Sequence, residues 1–275
     1  MRIRDERLAW AEAKLGECQR IALRYFGRSL RVERKADHSP VTIADRTIEE
    51  RLRRELERAF PGEAIVGEEF GASPRLGSTY WTIDPIDGTR AFSSGLPSWG
   101  LLLGRVEHNR PVLGACLYPL FKTFVGVGPE TPAYERRDGH RIRLPHAPIP
   151  PTLSDAVIFH GGSKWWLATR YAAGFTQVVR TCFLERAYGD CYGYVWLFRG
   201  KVDAVIDHGV KLWDLVPLAA VAQSIGYALT DFSGHPTFTG PESILAHPVL
   251  ARTILKTLRS PNPHRRPIRP PRRRS

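Results

Sequence analysis

Residues 81–92 read WTIDPIDGTRAF, an apolar run that ends in two aspartates three positions apart and then a Gly-Thr step. Such a run is typical of a strand that gives way to a turn, and Pro85 and Gly88 favour a turn of fixed shape. Carboxylates at such a turn repel each other unless cations lie between them, so Asp84 and Asp87 are predicted metal ligands. Thr89 offers a hydroxyl and a backbone N–H at a predicted helix start, which suits a phosphate group.

The bulk composition is that of a globular protein. The chain has 275 residues, 43% of them hydrophobic and 10% aromatic, which allows one large or two medium domains. No uninterrupted apolar segment approaches the roughly 18 residues of a membrane span, and the N-terminus is charged from the start. The four cysteines form no CxxC pair, which argues against a zinc ribbon and a disulfide framework. We therefore expect a soluble, cytoplasmic protein with no membrane partner.

The positive charge of the chain is concentrated at its C-terminus. The formal net charge is +12, and residues 261–275 carry six arginines and no acid, so this segment accounts for half of the excess. Its Pro/Arg composition predicts a disordered tail. The tail is either solvated without a specific partner or an arm that contacts nucleic acid, an anionic membrane or an acidic protein. Nucleic-acid binding is not expected of the rest of the chain.

Hydrophobic spacing predicts an α+β first half and an α/β second half. A helix is expected over residues 5–27 and another from Thr42 or Asp45 to Pro61-Gly62. Predicted strands of the first half are 64–67, 80–83, 99–106, 112–118 and 123–127; those of the second half are 156–159, 176–180 and 202–206, followed by a helix over 215–225. The Pro-rich segment 145–151 is the expected junction between domains 1–147, which carries most metal ligands, and 148–260.

Two further acidic positions accompany the aspartates at 84 and 87. Glu68 follows the apolar run AIVG, and Asp214 lies in KLWDLVPL at a predicted helix start. Taken alone, the first is typical of an exposed turn and the second of a helix cap. Together with Asp84 and Asp87, they would supply the oxygen ligands that Mg²⁺ prefers. Two such ions allow one to activate water and the other to stabilise a leaving oxygen, which indicates phosphoester cleavage.

Three motifs occur in an order that resembles the inositol monophosphatase-like family of Mg²⁺-dependent, lithium-sensitive phosphatases. They are GEE at 67–69, WTIDPIDGT at 81–89 and LWD at 212–214. The resemblance runs from about residue 5 to about residue 258. It implies a layered αβαβα sandwich with the site between its two halves, and a homodimer.

The same resemblance implies roles for individual residues. Glu68, Asp84, Asp87 and the carbonyl of Ile86 would bind one Mg²⁺, and Asp84, Asp87 and Asp214 a second. Asp45 would lie near a third, weaker ion, so that two or three ions occupy the site. Thr89 and Glu68 would orient and deprotonate the attacking water. The predicted contacts to a small phosphorylated metabolite in this part of the site are Asp87, Gly88, Thr89, Arg90 and Asp214.

Within the family, several stretches are most similar to the histidinol-phosphatase type, among them RAYGDCYGY at 186–194 and VDAVIDHGVKLWD at 202–214. This similarity places Arg186, Asp190 and Asp207 around the substrate, where carboxylates suit the amine and imidazole of histidinol phosphate. The expected reaction is hydrolysis of histidinol phosphate in histidine biosynthesis. Inositol phosphate, other sugar or nucleotide phosphates, and a catalytically decayed binding protein that uses the basic tail remain alternatives.

Overall fold

The computed structural model describes residues 5–28, 33–34, 40–188 and 190–260; the predicted tail at 261–275 lies outside them. The helices of the described residues are α1 (Glu6–Tyr25), α2 (Ile43–Ala59), α3 (Thr89–Ser93), α4 (Ser163–Leu167), α5 (Ala172–Thr181), α6 (Tyr192–Phe198), α7 (Leu212–Ser224) and α8 (Pro248–Arg259). The strands are β1 (Glu33–Arg34), β2 (Pro40–Val41), β3 (Ala64–Gly67), β4 (Gly71–Ala72), β5 (Tyr80–Asp87), β6 (Gly100–Glu107), β7 (Arg110–Tyr118), β8 (Thr123–Gly128), β9 (Thr131–Arg137), β10 (His140–Arg143), β11 (Val157–His160), β12 (Leu184–Arg186), β13 (Ala204–His208), β14 (Ala228–Thr230) and β15 (Glu242–Ala246).

The first half of the chain forms an eight-stranded sheet with the order β10-β9-β8-β7-β6-β5-β3-β4. Its pairs are antiparallel except β3 and β5, which are parallel. Both faces are covered, because successive side chains of a strand point to opposite sides. Leu101 and Leu103 of β6 pack in the core with α1 and α2, whereas Leu102 between them packs in the core with α6 and α7.

Helix α7 lies directly against the second face of this sheet because two glycines leave room for it. A Cβ atom at Gly104 would lie 2.6 Å from Val216 and 2.9 Å from Pro217 of the helix. A Cβ atom at Gly114 would collide with the backbone carbonyl of Pro217. The N-terminus of α7 is thereby brought close to β5, and this approach positions Asp214.

The second half of the chain builds a five-stranded sheet with the order β12-β11-β13-β15-β14. Strand β13 again divides its side chains: Val205 packs in the core with α6 and α7, and Ala204 and Ile206 pack in the core with α5 and α8. The layers are therefore α1 and α2, the first sheet, α6 and α7, the second sheet, and α5 and α8. This confirms the predicted αβαβα fold.

One predicted strand is wrong. Residues 176–180 lie in helix α5, although β-branched residues favour a strand there. Phe175 and Val178, three positions apart, are buried on one helix face, and Gly174 allows the backbone of Leu258 in α8 to come close. Packing between two helices thus overrides the local β propensity. The sequence prediction also lacked β9, β10 and α8.

The Pro-rich segment lies where the chain passes from one sheet to the other. Strands up to β10 belong to the first sheet and strands from β11 onward to the second. Helix α7 nevertheless packs on strands of the first sheet, so a division at residue 147 remains a proposal. Among the described helices, none is long and apolar enough to cross a membrane.

The close approach of α7 yields a stability prediction. Gly114→Ala should lower the free energy of unfolding by about 1–3 kcal/mol, because the new methyl group must displace the Pro217 backbone. Gly16→Ala is the matched control: it lies in α1 with open space around it and should stabilise the protein by up to about 1 kcal/mol. Urea unfolding measures both. Equal effects of the two substitutions would contradict this account of the helix–sheet contact.

Candidate active site

A bulge in β5 brings Asp84 and Asp87 to the same side of the first sheet. Residues three apart on a regular strand point to opposite faces. Asp84 pairs with Leu102 and Asp87 with Gly100, so β5 has one more residue than β6 between the two pairs. The extra residue turns the second carboxylate to the side of the first. Sequence reasoning placed these carboxylates together, and the bulge supplies the geometry.

Glu68 comes to these aspartates through the parallel pair β3 and β5. Gly67 pairs with Ile83, and the Glu68 amide donates to the Ile83 carbonyl at 3.1 Å, so Glu68 lies beside Asp84. A buried carboxylate of α2 holds the following turn: Glu49 accepts hydrogen bonds from the amides of Glu69 at 2.7 Å and Phe70 at 3.1 Å. Burial raises the pKa of Glu49, and the amide of Glu69 opposes this effect.

Asp214 is brought to the cluster by the start of α7. Its Oδ2 accepts the backbone N–H of Lys211 at 2.8 Å, which caps the helix. The alternative interpretation of Asp214 as a helix cap is therefore compatible with its being a metal ligand, because one oxygen caps the helix and the other is available to the cluster.

The three aspartates form a compact acidic cluster. Carboxylate oxygens of Asp84, Asp87 and Asp214 lie within 4.8 Å of one another. Burial raises the pKa of Asp87 to about 7 and that of Asp214 to about 7, with nearby carboxylates adding to the shift. Burial and then the charge of Glu68 raise the pKa of Asp84 well above its usual value. Oδ1 of Asp84 is buried without a hydrogen-bond partner among the described residues, which fits a cation-binding role.

A pair of hydrogen-bonded groups lies next to this cluster. The buried carboxylate of Asp45 accepts the backbone N–H of Thr42 at 2.8 Å and the Thr42 hydroxyl at 2.5 Å, forming a capping box at α2. The Thr89 hydroxyl lies 3.3 Å from the other oxygen of Asp45 and 3.1 Å from the carbonyl of Ile86. Burial raises the pKa of Asp45 to about 6, although its bonds to Thr42 oppose this.

The loop before α6 forms the next part of the wall. The Cys191 amide donates to Asp87 at 2.6 Å. Asp190 adopts a left-handed backbone conformation with φ of 60°, and its carboxyl carbon lies near Gly88, whose own φ is 82°. Asp190 is exposed as a whole residue, yet the surroundings of its carboxyl group raise the pKa of Asp190 to about 8. Burial of that group is the largest cause, and the charges of Asp87 and Asp207 add to it. The charge of Arg90 opposes the shift.

Asp207 is buried near the end of β13 and lines the same cavity as the acidic cluster. Its Oδ2 accepts the hydroxyl of Tyr194 at 2.7 Å. Burial raises the pKa of Asp207 to about 6, and the bond from Tyr194 is the main effect that opposes it.

The acidic cluster, Glu68, Thr89, Asp190 and Asp207 line one cavity of about 690 Å³ between the two halves of the fold, whereas Asp45 is not among its lining residues. Its lining includes six carboxylates against two cationic side chains, Arg90 and Lys211, so the cavity attracts cations. The carboxylates are Glu68, Asp84, Asp87, Asp190, Asp207 and Asp214. Arg186 is not among the lining residues: it is exposed at the sheet edge, and its guanidinium donates to the carbonyl of Glu185 at 2.7 Å. The geometry gives no support to the prediction that Arg186 binds the substrate.

Sequence reasoning missed several lining residues. Lys211 directly precedes the LWD motif, and its position at a helix start is a signal that could have identified it. Cys191 follows the selected Asp190 and acts through its backbone amide, which leaves no side-chain signal. No motif in the sequence distinguishes Trp165 from its neighbour Trp166, and only the structure places Trp165 at the cavity.

A family model described as the inositol monophosphatase family matches residues 4–261. The chain belongs to this family. It is a phosphatase that hydrolyses phosphoric monoesters, as the family and its named relatives show. The cavity with its acidic cluster is therefore the candidate active site of a phosphatase.

Named relatives differ in substrate. The histidinol-phosphatase of Mycobacterium tuberculosis is 30% identical, over 86% of this chain and 91% of that protein. The inositol-1-monophosphatase ImpA of Mycolicibacterium smegmatis is also 30% identical, over 78% of this chain and 77% of that protein. A solved inositol monophosphatase from Zymomonas mobilis superposes with a TM-score of 0.80 at 29% identity, covering 94% of this chain and 99% of that one.

The acidic cluster predicts how stability depends on pH. Because burial raises the folded-state pKa of Asp87 and Asp214 to about 7, above the unfolded value of about 4, both contribute stability at low pH that is lost as pH rises through 7. In EDTA, the melting temperature should therefore fall between pH 5.5 and 8, and Mg²⁺ should restore it at pH 8. Scanning calorimetry measures this.

The matched variant is Asp87→Asn, which keeps an oxygen acceptor for the Cys191 amide but removes the charge. In EDTA at pH 8 it should be more stable than the wild type by on the order of 1 kcal/mol. An Asn variant that is less stable than the wild type without metal would contradict the repulsion argument.

Proposed function

We propose that this protein is a Mg²⁺-dependent phosphatase that hydrolyses histidinol phosphate to histidinol and inorganic phosphate, a reaction of histidine biosynthesis. One observation carries the proposal: besides the four carboxylates of Glu68, Asp84, Asp87 and Asp214, the cavity lining has two more, Asp190 and Asp207, which are here called the second wall. A substrate that is both a phosphate ester and a cation would have a partner for each end.

The donor set supports Mg²⁺ as the cofactor. Carboxylates of Glu68, Asp84, Asp87 and Asp214 and the Ile86 carbonyl would hold it, and these hard oxygen donors suit Mg²⁺ rather than softer metals. When bound, the cation supplies a Lewis acid that lowers the pKa of water and neutralises charge on the phosphoryl oxygens. Whether two or three ions bind is part of the proposal.

Asp45, Thr89 and Glu68 would activate the attacking water. The Thr89 hydroxyl has one proton and two acceptors, Asp45 and the Ile86 carbonyl. Because that carbonyl is a proposed cation ligand, we infer that the proton of Thr89 goes to Asp45. The hydroxyl oxygen of Thr89 is then an acceptor that orients the attacking water. The carboxylate of Glu68 would accept the proton of that water.

The turn after β5 would bind the phosphoryl group. Gly88 occupies a left-handed conformation, and a Cβ atom there would lie 2.7 Å from the Ser98 carbonyl, so a larger residue would distort the turn. The backbone amides of Gly88 and Thr89 are the proposed phosphate donors, and Arg90 is the nearest cationic side chain in this turn. The metal ligands on the other side complete the anion site.

The second acidic wall would bind the amine and imidazole. Asp207 is close enough for its charge, like that of Asp87, to raise the pKa of Asp190, so a substrate cation near Asp190 and Asp207 would favour their ionised forms. Inositol 1-phosphate is the second candidate substrate, favoured by the equal identity to ImpA. It carries no cation for this wall.

A homodimer remains a prediction that sedimentation or light scattering can test.

Activity provides the first test. The purified protein should release phosphate from histidinol phosphate faster than from inositol 1-phosphate, and only with Mg²⁺. Asp87→Asn should lower kcat roughly 10³-fold or more, because the substitution removes one of the metal-binding charges. Equal kcat/KM on both substrates, or metal-independent turnover, would contradict the proposal.

Substrate selectivity provides the second test. Asp190→Asn is isosteric, and Asn tolerates the left-handed backbone of this position, so the fold should be kept. It should raise KM for histidinol phosphate about tenfold, by the loss of one charge-assisted contact, and change KM for inositol 1-phosphate by less than about twofold. A parallel rise for both substrates would remove Asp190 from cation recognition.

A further inference from the structure

The adjacent residues Trp165 and Trp166 differ in burial, and only Trp165 lines the cavity. Trp166 is fully buried and stacks between Phe175 at 4.5 Å and Phe232 at 5.0 Å, measured between ring centroids. Trp165 is 45% exposed and lines the active-site cavity. Trp166 therefore has a packing role that explains it, whereas Trp165 forms no aromatic ring pair among the described residues and is exposed to the cavity.

The indole of Trp165 already lies beside cations. The guanidinium carbon of Arg90 is 5.3 Å from its ring centroid, and the ammonium of Lys164 is 5.8 Å away. Both distances are within the range of cation–π attraction. Arg90 belongs to α3 and Trp165 to α4, so this contact spans the opening between the two halves.

Arg90 also lies within electrostatic reach of an acid of the same wall. The carboxyl carbon of Asp190 lies beside Gly88, two positions before Arg90, and Arg90, Trp165 and Asp190 all line the cavity. A positive group of the protein therefore lies on an aromatic face in the part of the cavity that holds this carboxylate. This arrangement indicates that the position on the ring of Trp165 stabilises a cation.

We propose that Trp165 is a specificity-determining residue whose indole face binds the positively charged, flat end of the substrate, in the place next to Asp190 that Arg90 takes in this structure. The inference rests on the proposed function, because it names the contact that selects a cationic alcohol phosphate. Asp190 and Asp207 supply charge at this wall, and Trp165 adds a face on which an imidazolium ring stacks. Inositol has neither a charge nor a flat ring for this face.

The test uses the reaction products as separate probes of the two walls. Histidinol has the cationic end of the substrate without the phosphate group, and inorganic phosphate has the phosphate group without the cationic end. Inhibition constants of both are measured on the Mg²⁺-loaded full chain with p-nitrophenyl phosphate as the reporter substrate. Trp165→Leu should raise the histidinol constant roughly three- to twentyfold and leave the phosphate constant within about twofold, and Trp165→Phe should recover part of the loss because it keeps an aromatic face.

Phe183→Leu is the matched control, since Phe183 is an exposed aromatic residue outside the cavity lining. It should change neither constant. A histidinol constant unchanged in Trp165→Leu, or a parallel rise of both constants, would overturn the inference. Failure of the proposed function has a different signature: the wild type would then hydrolyse histidinol phosphate no better than inositol 1-phosphate, whichever way histidinol binding depends on Trp165.

Discussion

Repulsion among buried carboxylates is the constraint on which the rest of this structure depends. Oxygens of Asp84, Asp87 and Asp214 lie within 4.8 Å of one another, and burial and like charge both disfavour their ionised forms. The scaffold must hold them together before a cation offsets this cost. A bulge in β5 and the approach of α7 over Gly104 and Gly114 provide that rigidity, because both are set by backbone packing.

Backbone amides orient the acids without occupying all of their oxygens. Asp45 accepts from Thr42, Asp87 from Cys191, and Asp214 from Lys211. Each bond directs one oxygen toward the protein and leaves another for the cavity or for Thr89. A site built in this way is preorganised, since little rearrangement is needed when charge develops on the substrate. Asp45 and Asp214 thus serve both helix capping and the proposed site.

The two walls of the cavity have separate consequences. The metal wall is made by short motifs and agrees with membership of the inositol monophosphatase family. The second wall and its neighbour Trp165 come from three different segments of the second half. On the proposed function, substrate choice depends on these residues, because phosphate and metal are common to every candidate substrate. On this basis, two relatives that are equally identical to this chain can be named for different substrates.

The sequence by itself predicted the acidic cluster of Asp84, Asp87 and Asp214 and helices α1, α2 and α7, because motifs such as DPIDGT and periodic apolar residues act over short distances, and its family resemblance implied the layered fold. It misassigned 176–180 as a strand, since helix packing around Gly174 outweighs local propensity. It also selected Arg186, which is not among the residues that line the cavity, and could not separate Trp165 from Trp166. Only the tertiary structure decided those placements, because which face of a short helix is buried depends on distant residues that contact it.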